Sequence, residues 1–345
     1  MKYDVVIIGG GQAGLSMGYY LKKSSLTFLI LDKSTELGEV WKNRYDSLRL
    51  FTPSYFSSLP GLSLDKKSNL YPTKDDIAGY LKVYAEKFSL PIQNNREVQR
   101  LHSANNEFVI ETNQGIIIAD NVVVATGPFQ KARIPKFSTS LSDEISQIHS
   151  SEYKNPNHLK KGSVLIVGGG NSGAQIAAEL SKEREVYLSV GNKMKFLPQD
   201  IGNKSIFWYL NKLGVNKASH NTKLGKMLKN KPDPIFGFEL KKLIKDRFIM
   251  LKPRAISSKN DSVIFKDGSQ LSVNNVVWAT GYQSDYRWID IPKLFNDGGF
   301  PIHDRGVTLQ KGLYFLGLPW QHNRSSALIQ GVGEDAKYIS NQLKS

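Results

Sequence analysis

The chain of 345 residues contains no cysteine, which removes disulfides, thiolate nucleophiles and thiolate metal ligands together. Any redox chemistry must therefore reside on a bound cofactor. Histidine is scarce too, and the six present follow no metal-ligand spacing, so no metal is expected. No run approaches the roughly 20 uninterrupted apolar residues of a bilayer span. The opening MKYDVVIIGG lacks the basic start and cleavable apolar stretch of a signal peptide. A cytoplasmic protein with no membrane partner is the expectation. Proline is held to 14 and 40% of the residues are hydrophobic, the composition of an ordinary folded chain. At this length two domains are more natural than one.

Acids are outnumbered, 31 Asp and Glu against 46 Lys and Arg, for a formal charge of +15. The excess concentrates between Lys193 and Arg254, where 15 basic residues face four acids. A nucleic-acid surface is one reading of such a stretch. No aromatic-studded RNA motif or helix-turn-helix pattern accompanies it, so no nucleic acid is expected. A basic lobe facing a phosphorylated cofactor or an acidic protein fits better.

What the chain does have is a unit written twice. VVIIGGGQAGLSMGYYL at 5–21 returns as VLIVGGGNSGAQIAAEL at 164–180, offset by 159 residues. In the first copy a β-rich run meets Gly9-x-Gly11-x-x-Gly14, and a helix, a short strand (TFLIL) and Asp32 follow. Gly9 permits the tight turn, Gly11 lets the backbone approach a pyrophosphate, and Gly14 lets helix and strand pack closely. The helix N-terminus offers free N–H groups and positive dipole to phosphates, and Asp32 stands where an acid accepts ribose hydroxyls. The second copy, Gly168-x-Gly170-x-x-Gly173, opens the helix NSGAQIAAELSK. Carried forward by the offset, Asp32 lands on Gly191, followed by Asn192 and Lys193. No acid stands there to repel a ribose 2′-phosphate. This leans toward NADPH over NADH, against the plainer reading of Lys193 as one more solvated lysine.

A second repetition closes each unit: NVVVATG at 121–127 and NVVWATG at 275–281. Each is a buried-strand pattern ending in a small-residue turn, Ala125-Thr126-Gly127 and Ala279-Thr280-Gly281, where chain and cofactor can come close. After Gly281 no third unit follows, only a short strand, LYFLG, and a closing helix from about Gly333, so the first domain needs the C-terminal segment. The Ser-, Pro- and Lys-rich stretch 128–162 reads as the linker.

At this point the chain resembles the flavoproteins with two dinucleotide domains, specifically the small bacterial flavin-containing monooxygenases and the related plant flavin monooxygenases of auxin synthesis. The residues that carry the resemblance are GGGQAG, LGEVWKNRYDSLRLFTP, ATGPF, HSSEY, GGGNSGAQIA, ATGY and GLPWQHNRSSALIQGVGEDA. It implies an α/β fold of two Rossmann-like dinucleotide-binding domains. The NAD(P)H domain, 158–281, is inserted into an FAD domain made of 1–157 and 282–345. It also implies cofactor contacts from Gln12, Ala13, Lys33, Gly38, Trp41, Val98, Asn171, Ser172, Trp320 and Gln330. Hydride then passes from NADPH, or NADH, to FAD. With no Cys pair to reduce, molecular oxygen is the expected acceptor. In the family picture a C4a-(hydro)peroxyflavin delivers one oxygen atom to a small heteroatom-bearing or carbonyl substrate. Peroxide release, or electron delivery to an acidic carrier docked on the basic 193–254 stretch, is the alternative. The residues leave a homodimer open.

The resemblance is broken in two places. The linker motif of the family begins with Phe and Gly before its His, where this chain has Asp143 and Ile145, leaving His149 and Tyr153. The larger members place an Asn near the flavin, and the polar candidate in LRLFTPSYF is Thr52. Thr52, Gln321 and Asn323 are the expected catalytic positions, the last two on the loop that should pass the reactive edge. His149 reads better as a linker His bonded to backbone than as a catalytic base, and IFWYL at 206–210 better as an aromatic core face than as a tunnel wall.

Overall fold

The computed structural model describes residues 2–64 and 71–343. It opens with β1 (Lys2–Ile8), α1 (Gln12–Leu21) and β2 (Phe28–Leu31). Val5 pairs in parallel with Phe28 and Ile8 with Leu31. A parallel pair needs a crossover, and α1 supplies it. Further along come α2 (Glu39–Lys42), α3 (Lys74–Lys87), β3 (Ile92–Gln93), β4 (Val98–Ala104), β5 (Glu107–Thr112) and β6 (Gly115–Val124). β6 lies along β1 on one edge; on the other, its first half pairs antiparallel with β5 and Val122–Val124 pair in parallel with Leu313–Phe315.

Alternation sorts the side chains. Val5, Ile7, Ile30 and Val123 pack with Leu15 and Met17 of α1, while Val6, Ile8, Leu31 and Val124 pack with Leu101, Phe108 and Phe315 on the opposite face. The closing helix, Val332–Gln342, lies against α1. The C-terminal segment thus completes the first unit in two ways, as a strand and as a helix.

The second sheet is parallel throughout. Its strands include β8 (Ser146–His149), β9 (Val164–Val167) and β10 (Val186–Ser189), with α4 (Asn171–Leu180) crossing between the last two. The order is Ile249–Lys252, β10, β9, Asn275–Trp278, β8. β8 lies inside the segment read as a linker, so the chain joins the second sheet before residue 158, and the strand it pairs with is Asn275–Trp278. The two crossings between units also meet: β7 (Lys131–Ala132) forms an antiparallel pair with Tyr282–Gln283. Among the described residues no helix is long and apolar enough to cross a membrane.

Candidate functional site: two matching cradles and their seam

The first glycine turn has three different jobs. Gly9 sits at φ +112°, and a Cβ on it would lie 2.6 Å from the Ala125 carbonyl oxygen. A Cβ on Gly14 would lie 1.8 Å from the Gly9 carbonyl oxygen, so helix and strand touch backbone to backbone. Gly11 meets nothing within 4 Å and faces open space. It is also the N-cap of α1, with no side-chain cap and no acid in the first turn. α3, by contrast, is closed by a capping box in which Thr73 and Asp76 satisfy each other's N–H groups. The free donors of α1 are thus left for something outside the protein.

The turn opens on a cavity of about 500 Å³ whose walls include Gln12, Ala13, Lys33, Gly38, Trp41, Val98 and Ala125–Gly127. Asp32 stands in it with one carboxylate oxygen accepting from Gly10 N–H (2.5 Å) and the other from Ser34 N–H (2.7 Å). Its free lone pairs suit a ribose diol.

The second turn repeats this geometry. Gly168 has φ +122° with its absent Cβ 2.1 Å from the Ala279 carbonyl oxygen, Gly173 would strike Gly168 at 2.0 Å, and Gly170 faces open space. Gly170 caps α4 without a side-chain hydrogen bond, and again no acid lies in the first turn. Both cradles fit a dinucleotide pyrophosphate on these grounds. They differ at the ribose position. Gly191 replaces the acid, and a Cβ there would sit 2.7 Å from Nη2 and 2.9 Å from Nε of Arg254. Arg254 is held there because the Ser189 hydroxyl donates to Pro253 O (2.7 Å) and accepts from Ala255 N–H (3.0 Å). Lys193 is exposed nearby in sequence. Arg254 escaped the sequence reading, since its only signal is the pairing of Ile249–Lys252 with β10.

At the seam, Tyr45 donates to Gln175 Oε1 of α4 (2.9 Å), and Gln175 Nε2 donates to Arg49 O (3.0 Å). His149 donates through Nε2 to Gly281 O (3.0 Å) and accepts at Nδ1 from Ser151 N–H (3.1 Å). Burial holds its pKa below the ordinary value, with the Gly281 bond opposing. It is a neutral anchor with both nitrogens engaged.

The remaining expected residues fall outside the cavity walls. Thr52 is buried, its hydroxyl paired with that of Ser57 at 2.9 Å. Gln321 is fully buried and spends its amide on Leu318 N–H (3.1 Å) and Arg305 O (3.3 Å). Asn323 Oδ1 accepts from Ser325 N–H (2.8 Å), and its backbone bridges Ser219 of the second unit. Trp320 takes a left-handed φ of +57°, and Gln330 Nε2 donates to the Ser325 hydroxyl at 3.4 Å. From this loop region the cavity is reached by Gly317 and Ala327. Phe207 is buried, stacks on Phe51 and lies tilted against Phe236, whereas Trp208 and Tyr209 are half-buried, so the aromatic segment is core on one side only.

A family model described as pyridine nucleotide-disulphide oxidoreductase matches residues 6–205, a span that includes both glycine turns. An oxidoreductase of Geobacillus kaustophilus named CzcO-like is 57% identical over 340 residues, 99% of this chain and 98% of its own. A probable indole-3-pyruvate monooxygenase of Arabidopsis thaliana is 27% identical over 90% of this chain and 81% of its own. Among solved structures, the flavin-containing monooxygenase from Stenotrophomonas maltophilia superposes with a TM-score of 0.84 at 27% identity, covering 99% of this chain and 98% of that one.

Proposed function

This chain belongs to the pyridine nucleotide-disulphide oxidoreductase family and is a flavin-dependent oxidoreductase; from that premise we propose that it oxidises NADPH on FAD and delivers one atom of O2 to a small organic substrate. The balance is NADPH, a proton, O2 and substrate giving NADP⁺, water and oxygenated substrate. The observation that carries the reading is the pair of matching cradles in a chain without cysteine. Two dinucleotides have places to bind, while the dithiol a disulfide reductase needs beside its flavin is missing. FAD, when bound, supplies the two-electron relay and the activation of oxygen.

The chain's own part is positional. Gly9, Gly11 and Gly14 bring the α1 N–H groups to a pyrophosphate, and Asp32 takes the adenosine ribose, a contact FMN cannot use. Gly168–Gly173 do the same for the nicotinamide dinucleotide. Arg254, with Lys193, favours a 2′-phosphate where Asp32 would have repelled one. In this reading residues 1–157 and 282–345 hold FAD and 158–281 hold NADPH, with β8 contributed to the second sheet from the first segment.

The purified protein should be yellow, release FAD and no FMN, bleach with NADPH under anaerobic conditions, and consume O2 without any carrier protein. Isotopically labelled O2 should place one labelled atom in product, or appear as labelled peroxide when no substrate is present. A second reading is favoured by one feature: residues 201–232 hold seven lysines and no acid, a surface suited to an acidic electron carrier. Turnover that begins only when a flavodoxin or ferredoxin is added would establish that reading and overturn the first.

A further inference from the structure

Arg44, two residues beyond α2, reaches the boundary between the two units. Its Nη1 donates to the Tyr282 hydroxyl, and its guanidinium lies 5.2 Å from the centroid of the Tyr282 ring and 5.4 Å from that of Phe129. The two rings follow the two small-residue turns: Phe129 comes just after Ala125–Gly127 and Tyr282 directly after Ala279–Gly281. One cation therefore ties the closing turns of both cradles. It is half-buried, and no carboxylate among the described residues pairs with it. Aromatic faces and a hydroxyl fix a guanidinium in place, but they do not neutralise it.

The surroundings add positive charge. Lys154 bonds the carbonyl of Asn43 beside it, and Lys74 bonds the carbonyl of Lys42. The carboxylate of Asp46 is already engaged by Lys74 (3.2 Å) and Asn155 (2.8 Å). Burial, with help from Lys74 and Arg44, holds the Lys154 pKa below the ordinary value. The uncapped N-terminus of α4 is close. Tyr45, the next residue, bonds Gln175 of α4 and interacts with Ser172 in its first turn, and the turn before Tyr282 packs against Gly168.

We propose that Arg44 holds the pyrophosphate of the nicotinamide dinucleotide, clamping it from the flavin-binding unit onto the uncapped N-terminus of α4. The inference rests on the reading that Gly168–Gly173 bind such a dinucleotide. It assigns this residue a positioning role: the charge that completes the second cradle is lent by the first, so nicotinamide binding and the alignment of the two units become one event. Arg44 and Arg254 then have separable duties, because the pyrophosphate is common to NAD⁺ and NADP⁺ and the 2′-phosphate is not.

The test titrates NAD⁺ and NADP⁺ separately into the FAD-loaded protein and follows the flavin spectrum or tryptophan fluorescence. Arg44→Met, which keeps length and loses charge, should raise both dissociation constants by the same factor, about ten to thirtyfold for a charge-assisted phosphate contact at a half-buried site. Arg44→Lys should recover part of the loss. Tyr282→Phe, which keeps the ring and frees the guanidinium, should give a smaller loss, again equal for the two nucleotides. Arg254→Ala should weaken NADP⁺ alone. FAD content should match the unmodified protein throughout. Unchanged binding of both nucleotides to Arg44→Met, or a loss confined to NADP⁺, would overturn the assignment while leaving the dinucleotide reading intact. Failure of the unmodified protein to bind either nucleotide would remove both.

Discussion

Glycines of one motif can be told apart by what a methyl group on each would meet. Gly14 has no room, since its Cβ would sit 1.8 Å from a backbone oxygen. Gly14→Ala should therefore cost about 3 kcal/mol, through forced separation of α1 from β1, and should lower the melting temperature of the apoprotein. Gly11 has room and an ordinary φ of −76°. Gly11→Ala should melt like the parent when stripped of cofactor, yet retain less FAD, because its methyl occupies the ligand's approach. Equal melting losses for the two variants would show that Gly11 is structural as well. At the ribose position the same logic gives a specificity test. Arg254→Ala should raise KM for NADPH about tenfold and leave NADH nearly unchanged, a factor at the low end for a charge-assisted bond because the group is exposed. Gly191→Asp should reverse the preference. A smaller effect is expected of Lys193→Ala, and a larger one would move the 2′-phosphate toward that lysine.

Helices in this chain divide by how their N-termini are finished. α3 satisfies its own first turn: Thr73 Oγ1 accepts from Asp76 N–H and Asp76 accepts from Thr73 N–H at 2.8 Å. α1 and α4 are capped by glycine and have no acidic residue in the first turn. An acid there would compete with phosphate for the same N–H groups and the same dipole. Thr73→Ala should cost about 1 kcal/mol of stability and leave flavin content unchanged, as read by denaturant unfolding and by the visible spectrum. Placing an acid on the first turn of α4, Ser172→Asp, should leave FAD in place and weaken NADP⁺ binding. If nucleotide affinity survived that change, the N-terminus of α4 would not be the phosphate site.

Over the whole molecule, the first groups to weaken the fold as pH falls are histidines. His149, His303 and His322 all have pKa values held below the ordinary 6.5, chiefly by burial. The unfolded chain takes up protons near that value and the folded one resists them. Their contribution is thus complete above about pH 6.5 and is lost progressively as pH falls below it. Strongly depressed carboxylates such as Glu36 and Asp285, both at about 2 and held there by Lys and Arg partners, act only at lower pH and are exposed enough for solvent to weaken them. The denaturation midpoint should therefore fall between about pH 7.5 and about pH 5.5; a flat midpoint across that window would show that the three histidines are protonated in the folded protein without penalty.

The parts that local rules govern were legible in the residues. β1, β2, β9 and Asn275–Trp278 are short runs rich in apolar and β-branched residues, and the first and third glycines of each turn are required by contacts within their own βα unit or by the closing turn that returns beside it. The expectation that the second unit interrupts the first rests on repetition, and the missing cysteines exclude thiol chemistry. Whatever depended on distant strands was not legible. Ser146–His149 has little strand character of its own and becomes β8 because Asn275–Trp278 offers an unpaired edge. Arg254 reaches Gly191 only because Ile249–Lys252 lies beside β10 and the Ser189 hydroxyl fastens Pro253 and Ala255 on either side of it. Arg44 meets Phe129 and Tyr282 only where the two units abut. Strand pattern and glycine turn are decided by a residue's near neighbours along the chain; the charge that waits at the mouth of a cradle is decided by which strands pair, and that is a property of the folded molecule.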